Sequence, residues 1–218
     1  MINVLLSSYD FHENWAYETM KPLLYHNMKV TVIPFSFEDE KVHSQEDYDK
    51  EYGPDGVHTP YIYRPFHFYG ISDITFIDYY RDSHDLAKKK IKEADILFLT
   101  GGLPDQYLRR LQEFDLVSLI QKFDGIIIGA SAGAMIQLDH YHVTPDNDYP
   151  FYHYQTGLGL VKGFEIECHY AHSSIQDEGL QRVILEKHLP TYTIANNGGL
   201  LIQDNQRMTF GNAQCVHQ

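Results

Sequence analysis

Short apolar runs recur along the chain, and longer segments with apolar residues at helical spacing separate them. The runs predict strands buried on both faces of a sheet, and they are Ile2–Leu6, Lys29–Phe35, Ile74–Asp78, Asp95–Leu99, Ile126–Ile128 and Phe164–Cys168. Helices are predicted at Glu13–His26, Ser83–Ala94, Pro104–Phe114 and from Ser173 or Ser174 to about Lys187. Alternation of strands and helices at this spacing predicts an α/β fold with a mostly parallel sheet.

Two stretches depart from this alternation. Residues 38–70 open with acidic residues and then carry Gly53-Pro54-Asp55-Gly56, two further prolines and many aromatic side chains. We expect a helical start at Glu38–Tyr52 and an inserted loop or flap, placed beside the site or at a homodimer contact, since long loops are usually functional. Near the C-terminus we expect three short strands with hairpin turns at Asn197-Gly198 and Asp204-Asn205; the strands are Tyr192–Ala195, Leu200–Gln203 and Arg207–Phe210.

Size and charge narrow the classes of function. The chain has 218 residues, which suits a single domain over residues 1–218. Its formal net charge is −13 at pH 7, which argues against nucleic acid or an anionic membrane as partner. Cys168 and Cys215 make no disulfide framework, so a reducing cytoplasm is the expected setting. No basic segment precedes the first apolar run and no stretch reaches membrane-spanning length, so neither a signal peptide nor a membrane anchor is expected.

The candidate chemistry centres on Gly129-Ala130-Ser131-Ala132-Gly133, which directly follows the predicted strand Ile126–Ile128. The G-x-S-x-G pattern is typical of a nucleophile elbow, where a serine sits at a sharp turn between a strand and a helix. Small neighbours are needed because such a turn leaves no room for larger side chains. The competing interpretation is that Ser131 merely fills a turn made of small residues.

A glycine loop and a histidine complete the candidate site. Gly101-Gly102 follows the predicted strand Asp95–Leu99, and His169 follows Phe164–Cys168. Because parallel strands end at one edge of a sheet, both should lie near Ser131. A serine hydroxyl needs a base to take its proton, and His169 is the leading candidate for that base.

Other histidines compete for this role, and a metal site is the alternative use for some of them. The rivals are His140, His142, His153 and His172. His169 with His172, or His140 with His142, would offer a metal two ligands, but no cysteine or carboxylate spacing supports a zinc pattern. We therefore expect no metal and no other cofactor.

These segments resemble the peptidase E and cyanophycinase family of serine peptidases. The resemblance rests on Gly129-Ala130-Ser131-Ala132-Gly133-Ala134, on Thr100-Gly101-Gly102 and on Ile166-Glu167-Cys168-His169-Tyr170, and it extends from Ile2 to about Phe210. The family shares its fold with class I glutamine amidotransferases, so the resemblance implies a three-layer, flavodoxin-like α/β sandwich. A serine in place of the amidotransferase cysteine argues against transfer of amide nitrogen from glutamine.

The resemblance implies roles for five of these residues. Ser131 would be the nucleophile and His169 the general base. The backbone N–H groups of Ala132 and of Gly102 or Gly101 would form the oxyanion hole, each stabilising the negative oxygen of the transition state by roughly 3–4 kcal/mol.

Two further roles follow from the resemblance, and both leave alternatives. Asp146 would orient His169, with Asp148 and Glu167 as the other candidates. Arg182 matches a family arginine that would bind an N-terminal aspartate of the substrate, but it could equally form an ion pair on a helix surface. Many family members carry an acidic residue where this chain has Asn196-Asn197.

The implied function is a serine peptidase that hydrolyses small peptides, including dipeptides with N-terminal Asp, through an acyl-enzyme. One alternative keeps the site but hydrolyses another amide or an ester. The other is a non-catalytic binding protein that retains the fold, since a fold does not determine a function.

Overall fold

An eight-stranded sheet runs through the protein, and helices cover both of its faces. The computed structural model describes residues 1–218. The strands are β1 Ile2–Leu6, β2 Lys29–Ile33, β3 Asp73–Phe76, β4 Ile96–Leu99, β5 Ile126–Ala130, β6 His140–Val143, β7 His153–Thr156, β8 Glu165–Cys168, β9 Thr191–Gln203 and β10 Gln206–His217. The helices are α1 Asn14–Met20, α2 Gln45–Tyr52, α3 Thr59–Phe68, α4 His84–Glu93, α5 Pro104–Glu113, α6 Val117–Gln121, α7 Ala132–Met135 and α8 Ser174–Lys187.

The strand order confirms a mostly parallel α/β sandwich. It runs β10-β9-β1-β5-β4-β2-β3, with β8 also paired to β9. The five strands from β1 to β3 in this order pair in parallel, and so do β8 and β9. The long strand β9 is antiparallel to β1 and β10, while β6 and β7 form a separate hairpin. β5 therefore ends near the centre of the sheet.

The core consists of two apolar layers, one on each face of the sheet. In β1, Leu5 packs into one layer, while Val4 and Leu6 pack into the other. Helices α4 to α7 cover the first layer, and α1 to α3 cover the second. Each large apolar side chain buried in this way contributes about 1.5–3 kcal/mol to stability. None of the eight helices combines the length and the apolarity that crossing a bilayer requires.

Residues 38–70 contain two helices rather than the long loop that we expected. Helix α2 begins at Gln45 rather than at Glu38, and α3 follows it. Tyr48, Tyr52, Ile62 and Phe66 from these helices are buried in the second apolar layer. Pro60 stands in the first turn of α3, where a missing N–H is tolerated. Gly53 and Gly56 thus lie between two packed helices, while Pro65 is buried inside α3.

The C-terminal strands also differ from the expectation. Asp204-Asn205 does form the turn between β9 and β10, with φ of 50° and 63°. Asn197-Gly198, however, lies inside β9, where Gly198 pairs with Gly211 of β10. One continuous strand therefore replaces the first two predicted short strands. Helix α1 ends at Met20, before Pro22, and α6 was not predicted.

Candidate active site

Ser131 occupies a strained turn between β5 and α7. Its φ of 53° and ψ of −115° lie outside the regions that non-glycine residues normally adopt. The Ser131 N–H donates to the Leu6 carbonyl at 2.8 Å, and the Ser131 carbonyl accepts the N–H groups of Ala134 and Met135, both at 2.9 Å. These bonds hold Ser131 at the carboxyl end of β5 in the geometry of a nucleophile elbow.

The small residues around Ser131 are required by close backbone approach. A Cβ atom on Gly133 would lie 2.1 Å from the Leu99 carbonyl oxygen, because α7 starts directly against β4. Such a separation is far below contact distance, so only glycine fits at this position. The small residue at position 133 is therefore required by the close packing of α7 against β4, as the sequence pattern indicated.

His169 follows β8 and is fixed by hydrogen bonds to its backbone. Its φ is 53°, which is uncommon for a non-glycine residue. The Ser7 hydroxyl accepts the His169 N–H at 2.9 Å and donates to the Ile194 carbonyl at 2.7 Å. The Gln176 side-chain amide donates to the His169 carbonyl at 3.1 Å. Ser7 and Gln176, which the sequence analysis did not identify, tie this turn to β9 and α8.

The side chain of His169 is oriented by Asn196 of β9. His169 Nδ1 lies 2.6 Å from Asn196 Oδ1. Because an amide oxygen only accepts hydrogen bonds, Nδ1 carries the proton and Nε2 keeps its lone pair. This tautomer is the one that a general base acting on a serine needs.

Asp146 makes no hydrogen bond to His169. Its carboxylate instead accepts the backbone N–H groups of Asp148 at 2.9 Å and of Tyr149 at 2.8 Å. It therefore closes an exposed turn on the connection between β6 and β7. The expected contact of Asp146 with His169 is therefore wrong, and Asn196 lies against the His169 ring instead.

His142 sits in a buried cluster of charges. Its Nδ1 is 2.9 Å from Glu165 Oε2, and its Nε2 is 2.9 Å from Glu167 Oε2. Burial disfavours the imidazolium, but the hydrogen bonds to Glu165 and Glu167 outweigh it and raise the pKa of His142 to about 9. A doubly protonated ring has no lone pair, so His142 is no rival to His169 as base. Glu167, bound to His142 and to Thr144, likewise makes no hydrogen bond to His169.

Ala132 and either Gly102 or Gly101 were expected to provide the backbone N–H groups of the oxyanion hole. Gly102 has a φ of 142°, and a Cβ there would lie 2.3 Å from the Ser36 carbonyl oxygen. Its N–H donates to no protein group, and Ala132, as the first residue of α7, has no intrahelical acceptor for its own. The Gly101 N–H, by contrast, donates to the Tyr9 hydroxyl at 2.8 Å. The N–H groups of Ala132 and Gly102 are thus free, whereas that of the alternative, Gly101, is not.

Two cavities meet at Ser131 and His169. The first, which we call the Gln176 cavity, has a volume of about 530 Å³ and is also lined by His142, Asp146 and Glu167. The second, the Tyr9 cavity, has a volume of about 560 Å³ and is also lined by Lys41, Tyr52 and Gly101. Volumes of this size suit small ligands. No group of three or more His, Cys, Asp or Glu side chains is arranged to hold a metal ion.

Arg182 lines neither cavity. Its Nε is 2.8 Å from Glu186, and its guanidinium lies 4.2 Å from the centre of the Tyr152 ring, on the exposed side of α8. The structure therefore corresponds to the helix-surface ion pair that was the alternative role. Lys41 is the single Lys or Arg that lines the cavities, and Glu38 pairs with it at 2.5 Å.

Comparisons with known proteins agree with this architecture. The model of peptidase family S51 matches residues 57–210. A candidate peptidase E protein from Listeria monocytogenes EGD-e is 21% identical, with a TM-score of 0.69 over 95% of this chain and 96% of that chain. A peptidase from an acI-B1 Actinobacterium is 14% identical, with a TM-score of 0.63 over 99% of this chain and 90% of that chain. No curated protein sequence matches significantly.

Proposed function

This chain belongs to peptidase family S51 and is a serine peptidase; from that premise we propose that Ser131, His169 and Asn196 form its catalytic triad and cleave small peptides through an acyl-enzyme. One observation carries the assignment of these residues. The Asn196 amide oxygen fixes the proton of His169 on Nδ1, which leaves Nε2 free beside the cavities that Ser131 lines.

The first half of the reaction forms the acyl-enzyme. Ser131 Oγ attacks the peptide carbonyl carbon, and its proton passes to His169 Nε2. The carbonyl oxygen becomes an oxyanion, to which the free N–H groups of Gly102 and Ala132 donate. The tetrahedral intermediate then collapses, the C–N bond breaks, and the leaving amine takes the proton from His169.

The second half regenerates the enzyme. Water attacks the ester carbonyl of acyl-Ser131 while His169 Nε2 takes one of its protons. Collapse of the second tetrahedral intermediate breaks the bond to Ser131 Oγ, which recovers its proton from His169. Asn196 remains neutral throughout, as the asparagine of the Cys-His-Asn sites of papain-like proteases does.

The substrate class follows from the size and charge of the cavities. Two cavities of about 530 and 560 Å³, both lined by Ser131 and His169, suit the two halves of a short peptide. An N-terminal aspartate would need an unpaired cation. Arg182 lies on the surface of α8, Lys41 is paired with Glu38, and His142 is held between two carboxylates. We therefore propose small peptides as substrates. Whether an N-terminal Asp is preferred is measured by the substrate panel described below.

Labelling by a fluorophosphonate probe tests the reactive serine. We expect wild-type protein to be labelled and both Ser131→Ala and His169→Ala to remain unlabelled while folded. His172→Ala is the matched control, because His172 is an exposed histidine on the same turn that lines neither cavity. Absence of labelling in folded wild type would favour the non-catalytic binding protein.

A substrate panel tests the peptidase activity. Dipeptides with Asp, Ala or Lys at the N-terminus should be compared with an ester of equal size. We expect cleavage of at least one dipeptide, lost in Ser131→Ala. Turnover of the ester alone would instead support the alternative hydrolase.

A further inference from the structure

Tyr9 places a phenol hydroxyl beside the nucleophile. It lies in the connection after β1, and its ring packs edge-on against Phe98, with centroids 5.3 Å apart. The hydroxyl oxygen accepts the Gly101 N–H at 2.8 Å. Tyr9 also lines the Tyr9 cavity together with Ser131 and His169. The ring is therefore fixed by packing, and its hydroxyl is fixed by the glycine loop.

The position of Gly101 relates this hydroxyl to Ser131. A Cβ atom on Gly101 would lie 3.6 Å from the Tyr9 hydroxyl oxygen and 3.3 Å from Ser131 Cβ. The Tyr9 hydroxyl oxygen and Ser131 Cβ thus both border the space next to the Gly101 Cα atom. A tetrahedral intermediate on Ser131 would form within this region.

The direction of the Tyr9 hydrogen bonds leaves one proton unused. The oxygen already accepts the Gly101 N–H, whereas the hydroxyl proton is donated to no protein acceptor. Burial raises the pKa of Tyr9 to about 12, against the opposing effect of the Gly101 N–H. The phenol consequently remains a neutral donor over the pH range in which proteins are stable.

We propose that Tyr9 is a catalytic residue of this peptidase. Its hydroxyl donates a hydrogen bond to the oxyanion, alongside the N–H groups of Gly102 and Ala132. The Gly101 N–H then acts indirectly, because a donor behind the phenol oxygen polarises the O–H bond. The assignment rests on the proposed function of Ser131. It also accounts for the Gly101 N–H, which would otherwise have been an oxyanion donor itself.

Tyr9→Phe tests this role, because the rate should fall if Tyr9 donates to the oxyanion but not if Tyr9 only occupies the Gly101 N–H. Phenylalanine keeps the ring and removes only the hydroxyl, which also releases the Gly101 N–H. If Tyr9 donates to the oxyanion, kcat and the rate of fluorophosphonate labelling should fall about 100- to 1000-fold with KM unchanged, since loss of one oxyanion donor has effects of this order. If Tyr9 merely occupies the Gly101 N–H, both rates should stay equal or rise.

A tyrosine outside the site provides the matched control. Tyr69 donates its hydroxyl to the Phe11 carbonyl at 2.9 Å and lines neither cavity, so Tyr69→Phe should keep wild-type rates. A peptide aldehyde adds a second measurement, because its hemiacetal with Ser131 carries the oxyanion. The aldehyde should bind Tyr9→Phe about 100- to 1000-fold more weakly than wild type, while a product peptide should bind wild type and variant equally.

The outcomes separate this proposal from the one it rests on. A folded wild type that is not labelled and cleaves no peptide would overturn both. A reactive wild type whose Tyr9→Phe variant is equally fast, or which binds the aldehyde equally well, would overturn the role of Tyr9 alone. Equal losses in Tyr9→Phe and Tyr69→Phe would also overturn it, because they would indicate a general effect of removing a tyrosine hydroxyl.

Discussion

His142 and His169 line the same cavity but are held in opposite ways. His142 is buried, and both of its ring nitrogens face carboxylates, so it is charged and has no lone pair. His169 is exposed, and one of its nitrogens faces a neutral amide, which leaves the other nitrogen free to accept a proton. The comparison shows that two histidines lining one cavity can differ in their capacity to act as a base because their hydrogen-bond partners differ.

The largest expected effect separates the two histidines by activity. His169→Ala should lower kcat/KM by about 10²- to 10⁴-fold, because general base catalysis is lost. Its melting temperature should stay close to that of wild type, since the side chain is exposed. Turnover and thermal melting of the same preparations check this; an active His169→Ala protein would exclude His169 as the base.

The second effect is on stability and falls on His142. His142→Ala leaves Glu165 and Glu167 buried without their shared cation, which should lower the free energy of unfolding by about 3–5 kcal/mol. Urea denaturation measures the loss, and His140→Ala, an exposed histidine on the same strand, should change stability by less than about 0.5 kcal/mol. Similar values for the two variants would show that the buried cluster does not stabilise the fold.

The pH dependence of stability sharpens the comparison further. The pKa of His142 rises on folding from 6.5 to about 9, so its contribution is fully present below pH 6.5 and is lost as the pH rises through about 9. This rise in pKa contributes about 3 kcal/mol to the free energy of unfolding at low pH. We expect the urea concentration at the unfolding midpoint to decrease as the pH is raised from 7 to 10, and to decrease less in His142→Gln. The same decrease in both proteins would contradict the raised pKa of His142.

The smallest effect is expected from giving His169 a charged partner. Asn196→Asp should move the acidic limb of the kcat/KM profile to higher pH by about one unit, because a neighbouring carboxylate favours the charged imidazole, which cannot act as a base. Asn196→Ala should lower kcat instead, since nothing then fixes the proton on Nδ1. A pH–rate profile for each variant provides the measurement, and identical profiles for all three proteins would remove Asn196 from the triad.

The features that the sequence predicted well are local ones. The elbow is a strand, a tight turn and a helix within one short segment, and its small residues are dictated by contacts such as that of Gly133 with Leu99. His169 at the end of β8 followed from the same logic, because its position depends on the end of one strand. The mostly parallel sheet followed from the alternation of strands and helices.

The partner of His169 could not be predicted in the same way. Asn196 reaches it from β9, and this contact depends on how β8 and β9 align. The hairpin turn predicted at Asn197-Gly198 divided β9 into two short strands, so the sequence did not place Asn196 beside His169. The prediction of a loop over residues 38–70 was wrong for a related reason. The burial of Ile62 and Phe66 depends on where α3 packs against the sheet. Proline and glycine alone do not reveal such packing.

The meeting of two cavities at Ser131 and His169 has a kinetic consequence under the proposed mechanism. A peptide that spans both cavities places one half in the Gln176 cavity and the other in the Tyr9 cavity. The bond to be cleaved then lies where the two cavities meet, next to Ser131 and His169. Once that bond breaks, the amine half is free to diffuse out of its cavity while the acyl half stays attached to Ser131. Water can then enter through the vacated cavity, so the two products leave in a fixed order, the amine first and the acid second.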